Sequence, residues 1–332
     1  MLPGERAALV IAAVLTGLLA GVGMGLVLQR GQLCFHAAIA EGYQRRFVLV
    51  RGWALGVTLA AVGLSALYLF PGTEGLNQGL SFVPVSNVAG GLVIGAGMAV
   101  ARSCVSGLFY KLGTGMLGAL VGIGGWAAGE LVARQITVPG PRVLGGGLAG
   151  TVPGVLGLPR LAVAVIALAA VALWLWRRPG TDLPRPDWQW GWARTGAGLA
   201  VAVVGGWALA GLGGADFGPS SVGAVSSLAS GSPNVWLLSF LLGIVGGGSL
   251  GGHRVSAVWV RGETPVRYLQ LGTGGLLLGA GGWIAGGCNL GHGLSGLAQM
   301  NVSSIVVVAA IVTGVGATRR VQRTNLRRTT PA

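Results

Sequence analysis

Apolar residues run along this chain in blocks of about twenty, the length that carries an α-helix across a bilayer. Nine such stretches are read at 8–28, 47–70, 82–101, 113–133, 160–176, 194–212, 234–250, 267–287 and 301–318. Three further segments are moderately apolar but too short to cross: 31–40 (GQLCFHAAIA), 103–112 (SCVSGLFYKL) and 288–299 (CNLGHGLSGLAQ). Each follows a span with almost no polar linker, so each is expected to be a re-entrant half-helix. Such backbone is tolerated at membrane depth only when it is buried in protein or lines a cavity. The pattern predicts an all-α polytopic membrane protein with about nine transmembrane helices plus short re-entrant half-helices.

The spans also repeat. An offset of 184 to 187 residues carries spans one to four onto spans six to nine, and GAGMAVARSCVSG (95–107) onto GAGGWIAGGCNLG (279–291). Gly95, Ala96, Gly97, Ala101, Cys104 and Gly107 meet Gly279, Ala280, Gly281, Ala285, Cys288 and Gly291. The same offset sets RGQLC (30–34) against FGPSS (217–221), so Cys34 faces a serine counterpart near Ser221. Five spans separate the copies, an odd number, so the second copy is inverted. An inverted pseudo-twofold repeat with broken helices meeting at mid-membrane is a mark of secondary transporters, whose substrate binds at the repeat interface. The expected organisation is one membrane domain: repeat half one over 1–133, a connector with span five over 134–193, repeat half two over 194–318 and a basic tail over 319–332.

Composition sharpens this picture. Of the 332 residues, 52% are hydrophobic and only 9% charged, with a mean hydropathy of +0.73. So few charges cannot cover a solvated surface. The 64 glycines show no three-residue period and sit inside apolar runs, where they let helices approach closely. The net charge of +14 does not point to nucleic acid, because the basic residues form short clusters between apolar stretches. They read as anchors on the cytoplasmic side of the inner membrane. Arg319, Arg320, Arg323, Arg327 and Arg328 make the C-terminus cytoplasmic. Arg30, Arg45, Arg46, Arg102, Lys111, Arg177, Arg178, Arg185, Arg194, Arg254, Arg261 and Arg267 then fall on the same side. Only Arg6, Arg134, Arg142 and Arg160 fall outside, with Arg51 at a membrane edge. The N-terminus is expected outside, and its first span uncleaved, since no A-x-A site follows it.

Three cysteines, Cys34, Cys104 and Cys288, cannot all pair, which argues against a disulfide framework. All three sit in or beside the half-helices, each with glycine within three residues. A cysteine is often a small buried hydrophobe, but three of three at broken-helix positions favours a role in substrate contact. A thiol in an apolar pocket stays neutral and offers a weak donor and a polarisable sulfur, which suits a soft sulfur-bearing anion. Half-helix N-termini add free N–H groups for an anion.

These segments, GQLCFHAAIAEG, AVARSCVSGLFYKLGTG and AGGCNLGHGLSG, resemble the cysteine segments of the YeeE/YedE family of bacterial inner-membrane proteins, which import thiosulfate. The resemblance spans nearly the whole chain, and AGGC-x-x-G-x-G-L-x-G is its most specific part. It implies nine spans, short central helices and a substrate path marked by Cys34, Cys104 and Cys288. It also implies a small TusA-like sulfur carrier as a cytoplasmic partner. Ser103 departs from the expected glycine before the cysteine and narrows the approach to Cys104. The family includes members tied to selenium or other sulfur species, so the resemblance fixes substrate class better than substrate.

The candidate substrate-binding residues are therefore Cys34, Cys104, Cys288, Gly31, Gly107, Gly287, Gly291, His292, Arg102 and Ser221. Arg102 reads equally as a membrane anchor, and His292 as a helix-end histidine. His36 and His292 near cysteines suggest metal, but the spacing is loose and the inverted repeat sets the pairs apart, so no metal and no cofactor are expected. Glu130 is a candidate for proton coupling, although an interfacial pair with Arg134 at i+4 is the plainer reading. The tryptophans at 174, 176, 188, 190 and 192 read as an aromatic belt. The expected function is uptake of thiosulfate or a close inorganic sulfur anion along neutral thiols, not enzyme catalysis. The alternatives are a membrane sulfurtransferase that forms a cysteine persulfide, a binding component that feeds a sulfur carrier, and a transporter of a selenium or other sulfur species. The chain carries no C-x-x-C pair and no nucleotide loop to support the enzyme.

Overall fold

A computed structural model describes residues 3–70, 73–76, 79–177, 185–253, 255 and 258–329. Thirteen α-helices are found among the described residues. Nine of them coincide with the apolar stretches: α1 (Pro3–Gly31), α3 (Val48–Leu67), α4 (Pro84–Ala101), α6 (Gly118–Ala133), α8 (Arg160–Arg177), α9 (Trp192–Leu212), α11 (Val235–His253), α12 (Pro265–Ala285) and α13 (Val302–Thr329). The other four are short: α2 (Phe35–Gly42), α5 (Val105–Gly113), α7 (Val152–Leu156) and α10 (Ala224–Ala229).

The chain is an all-α polytopic membrane protein. Among the described residues, seven helical segments are long and apolar enough to cross a membrane. Two of the nine predicted spans fall outside that count. The first, α6, has only 16 residues. The second, α12, starts among polar residues, with Arg267 and Gln270 in its first two turns. Arg178 and Arg254, both counted among the cytoplasmic basic residues, lie outside the described residues, as do the side chains of Arg327 and Arg328.

Two of the three short apolar segments form α2 and α5, and the third forms a π-helical turn over Gly291–Gly296. Single π turns are rare and recur at functional sites. The sequence pattern did not predict α10. Its run SSVGAVSSLAS carries too many serines to read as apolar, yet Ala224 and Ser226 are buried.

Small residues set the helix packing, because lipid gives no hydrophobic drive between apolar faces and close backbone contact replaces it. α1 packs on α11, and α3 on α9; α6 packs on α12, and α13 on α4. A Cβ added at Gly21 of α1 would lie 2.8 Å from Cα of Gly243 in α11, and one at Gly243 would lie 2.8 Å from Cα of Gly21. Gly95 of α4 and Gly314 of α13 meet in the same reciprocal way, at 2.9 and 3.1 Å. Two further contacts, α1 with α9 and α4 with α12, join the sets. Exchanging α1 with α9, α3 with α11, α4 with α12 and α6 with α13 returns the same set of pairings.

Backbone conformation follows that exchange too. Four non-glycine residues adopt the left-handed region that L side chains rarely enter: Gln32 (φ 48°), Arg45 (φ 60°), Arg102 (φ 47°) and Met300 (φ 58°). Each stands 182 to 186 residues from a left-handed glycine: Gly214 (φ 69°), Gly231 (φ 73°), Gly286 (φ 74°) and Gly115 (φ 90°). Left-handed backbone thus recurs along the chain at a spacing of 182 to 186 residues.

Candidate functional site

The ends of α1, α4 and α12 deliver the three cysteines. α1 stops at the left-handed Gln32, and two residues later Cys34 caps the N-terminus of α2 in extended conformation. α4 stops at the left-handed Arg102, and Cys104 caps α5 in the same way. α12 stops at the left-handed Gly286, and Cys288 opens the segment that becomes the π-helical turn. Cys34 is 4% exposed, while Cys104 and Cys288 are fully buried.

Two contacts organise the thiols. Sγ of Cys34 lies 3.5 Å from Sγ of Cys104. Oγ of Ser221 donates to Sγ of Cys288 at 2.9 Å. Each of the two deeper sulfurs has the same pair of neighbours, one backbone N–H and one hydroxyl. Cys104 accepts from Gly107 N at 3.3 Å and has Ser106 Oγ at 3.4 Å. Cys288 accepts from Leu290 N at 3.3 Å and from Ser221.

Between the two groups lies Asn289, which is buried. Its Oδ1 accepts from Val105 N at 3.2 Å, and its Nδ2 donates to Ser106 Oγ at 3.1 Å. The residue that follows Cys288 thus holds the start of the helix that Cys104 caps. Cys34, Cys104, Ser106, Asn289 and, by covalent connection, Cys288 with Ser221 form a buried polar file.

Other predicted residues fall around this file. Gly107 sits against both inner thiols: a Cβ there would lie 3.1 Å from Sγ of Cys34, 3.2 Å from Sγ of Cys104 and 2.8 Å from Oγ of Ser103. Gly291 faces Ser220 Oγ, at 3.1 Å from an added Cβ. Gly287 faces the His292 ring, with Cδ2 2.7 Å from an added Cβ. Gly31 packs against Thr195 of α9. Arg102 is exposed at the end of α4. Lys111, on α5, reaches back to Ser103 Oγ at 3.5 Å.

His292 is fully occupied by protein. Its Nε2 faces Ala285 O at 3.0 Å, and its Nδ1 faces Ser304 Oγ at 2.9 Å. A carbonyl only accepts, so Nε2 carries the hydrogen, and Nδ1 accepts from Ser304. The ring braces the turn that follows α12. Asn87 of α4 donates to the same Ala285 carbonyl at 2.9 Å.

Glu130 and Arg134 do not pair with each other. Both reach α10 instead: Oε1 of Glu130 accepts from Gly223 N at 3.1 Å and Ser226 N at 3.0 Å, and Arg134 Nη1 donates to Ser226 O at 3.4 Å. The carboxylate caps a short helix whose counterpart under the sequence offset is α2.

The π-helical turn is held by residues of α2 and α3. Trp53 Nε1 donates to Gly293 O at 2.8 Å, and the Phe35 ring lies 3.2 Å from a Cβ added at Gly293. Beyond α2, a cavity of about 290 Å³ is lined by Phe35, Ile39, Tyr43, Trp53, Val308 and Val312. Its wall is mostly apolar, and its two side-chain donors are already engaged, Tyr43 Oη with Val312 O and Trp53 Nε1 with Gly293 O. Among the described residues no three His, Cys, Asp or Glu side chains converge as a metal would need.

Sequence reasoning missed Ser106 and Asn289. Both adjoin cysteines already singled out, at two residues and one residue, but neither amide nor hydroxyl stands out in a chain where the thiols draw attention. The signal available was position: each lies in the first turn after a broken-helix cysteine.

Comparison with known proteins gives one family and three relatives. The model of the sulphur transport family matches residues 30–317. The thiosulfate transporter TsuA of Spirochaeta thermophila is 31% identical over 321 residues, covering 87% of this chain and 93% of that protein. The thiosulfate transporter TsuA of Escherichia coli is 23% identical over 331 residues, covering 91% and 92%. A probable transporter of Escherichia coli, YedE, is 30% identical over 95 residues, 28% of this chain and 23% of that protein.

Proposed function

The chain belongs to the sulphur transport family, and from that premise we propose that it takes up thiosulfate, or a close inorganic sulfur anion, across the inner membrane along the buried file of thiols. The observation that carries this reading is the pair of equivalent sulfur sites. Cys104 accepts from the Gly107 N–H with the Ser106 hydroxyl 3.4 Å away, and Cys288 accepts from the Leu290 N–H and the Ser221 hydroxyl, so each sulfur sits among neutral groups that suit a soft anion. The match over nearly full length to two proteins named thiosulfate transporter supports the substrate.

The chemistry fits that substrate. Thiosulfate has a soft terminal sulfur and hard oxygens. Polarisable thiols suit the first, and amide and hydroxyl groups suit the second. Neutral donors attract an anion weakly, as conduction requires: binding must be good enough for entry and loose enough for release.

The proposed architecture is an inverted repeat of two halves, 1–133 and 194–318, joined by a connector and crossing nine times, with the N-terminus outside and the basic tail of 319–332 cytoplasmic. Support comes from the exchangeable helix pairings and from the left-handed residues recurring at 182 to 186 positions. In that arrangement Cys288 and Ser221 lie toward the outside, and Cys34 and Cys104 toward the cytoplasm. A TusA-like carrier would receive the anion on the cytoplasmic side.

The test is uptake of labelled thiosulfate into proteoliposomes, with sulfate, sulfite and selenite as competitors. Uptake that unlabelled thiosulfate suppresses and sulfate does not supports the reading. Uptake equal to that of empty vesicles would refute it.

A further inference from the structure

The hydrogen bonds around Asn289 have a direction that side-chain chemistry alone determines. Val105 N can only donate, so the amide atom that faces it at 3.2 Å is the oxygen. The amide nitrogen therefore faces Ser106 Oγ at 3.1 Å, and an amide nitrogen can only donate. Ser106 must accept that hydrogen bond. Its own hydrogen is then free for Sγ of Cys104, 3.4 Å away. Gly107 N delivers a second hydrogen to the same sulfur at 3.3 Å. With two donors already on Cys104 Sγ, the thiol hydrogen turns to its remaining neighbour, Sγ of Cys34 at 3.5 Å.

We infer that Asn289 is a positioning residue that orients the hydrogen-bond chain from the Cys288 segment through Ser106 to Cys104, so that the Cys104 S–H is aimed at Cys34. The chain runs Asn289 N–H to Ser106, Ser106 O–H to Cys104, and Cys104 S–H to Cys34. One residue of the second half thereby sets the donor direction of a thiol in the first. Its consequence for uptake rests on the transport reading above. A donor chain with one direction presents S–H hydrogens to an anion in sequence, while a reversed chain presents sulfur lone pairs and repels it.

The infrared S–H stretch reads this directly, because a thiol that donates a hydrogen bond absorbs at lower frequency than a free one. The Cys104 band is assigned from the difference spectrum of Cys104→Ser. Cys34→Ala is expected to raise the Cys104 frequency, since it removes the acceptor. Ser106→Ala is expected to leave it nearly unchanged, since the sulfur loses only a donor to itself. In an Asn289→Asp background the two responses should exchange, because a carboxylate accepts from Ser106 and turns that hydroxyl away from Cys104. A Cys104 band that shifts with Ser106→Ala and not with Cys34→Ala would overturn the inference. So would an unaltered pattern in the Asn289→Asp background. If Asn289→Asp does not insert, the first two variants decide alone.

Thiosulfate uptake by Asn289→Asp is expected to fall at least about tenfold, the scale of one hydrogen bond to a charged group. Wild-type protein that takes up no thiosulfate would sink the transport reading and leave the infrared result to judge Asn289.

Discussion

Ser221 donates its hydroxyl to the sulfur of Cys288 at 2.9 Å, as the sulfurs of Cys104 and Cys34 meet at 3.5 Å. Under the sequence offset Ser221 is the counterpart of Cys34, and Cys288 that of Cys104. The same contact is thus built twice, once from two sulfurs and once from a sulfur and an oxygen. Ser221→Ala removes one of the two donors to Cys288. It is expected to cost about 1 kcal/mol of stability and to lower uptake several-fold, read by thermal unfolding in detergent and by vesicle transport. Ser221→Cys should keep both.

The mirror of that change is Cys34→Ser. It gives the first half the oxygen-to-sulfur pair that the second half already uses. Partial uptake is expected to survive, whereas Cys104→Ser and Cys288→Ser should lose it. Equal loss for all three would show that the two halves are not chemically interchangeable at this contact.

Gly107→Ala tests how closely the inner thiols are packed. The added methyl would stand 3.1 Å from Sγ of Cys34 and 3.2 Å from Sγ of Cys104, tighter than ordinary van der Waals contact. The expected result is a protein that inserts normally and transports at least about tenfold less, the change that roughly 1.4 kcal/mol of displacement would bring. Normal transport would show that the Cys34–Cys104 contact can open without loss.

Glu130 separates structure from coupling. Glu130→Gln keeps an oxygen for Gly223 N and Ser226 N, whereas Glu130→Ala leaves both unpaired in a buried place. Each unpaired donor costs about 1–3 kcal/mol. The expected outcome is normal uptake and stability for Glu130→Gln and a lowered unfolding temperature for Glu130→Ala. A stable Glu130→Gln protein without uptake would assign the carboxylate a part in transport.

Much of this was legible in the sequence, and the reasons differ from element to element. The nine apolar stretches coincide with helices because lipid demands internal hydrogen bonding of any backbone it surrounds, and seven helical segments among the described residues are long and apolar enough to cross. The half-helices at 35–42 and 105–113 were visible because an apolar segment too short to cross has few other options. α10 was not visible: four serines at 220, 221, 226 and 227 hide a helix that Glu130 caps from a distant part of the chain. The cysteines stood out by type and place, and the serine counterpart of Cys34 by the repeat offset. Asn289 and Ser106 did not, because a hydrogen bond between residues 183 apart leaves no local pattern. Gly31 and Arg102 were chosen for nearness in sequence to a cysteine, but each lies at the end of the helix before the reversal. The chain turns between them and the thiol; Gly31 packs on Thr195, and the Arg102 side chain is exposed.

The central claim is that the anion passes along the thiols, and the most direct test is labelled thiosulfate uptake into proteoliposomes holding equal amounts of wild-type, Cys104→Ala or Cys288→Ala protein. The account predicts uptake by the wild type and none above empty vesicles for either variant, with both variants still inserted and folded. Wild-type rates in both variants would contradict it.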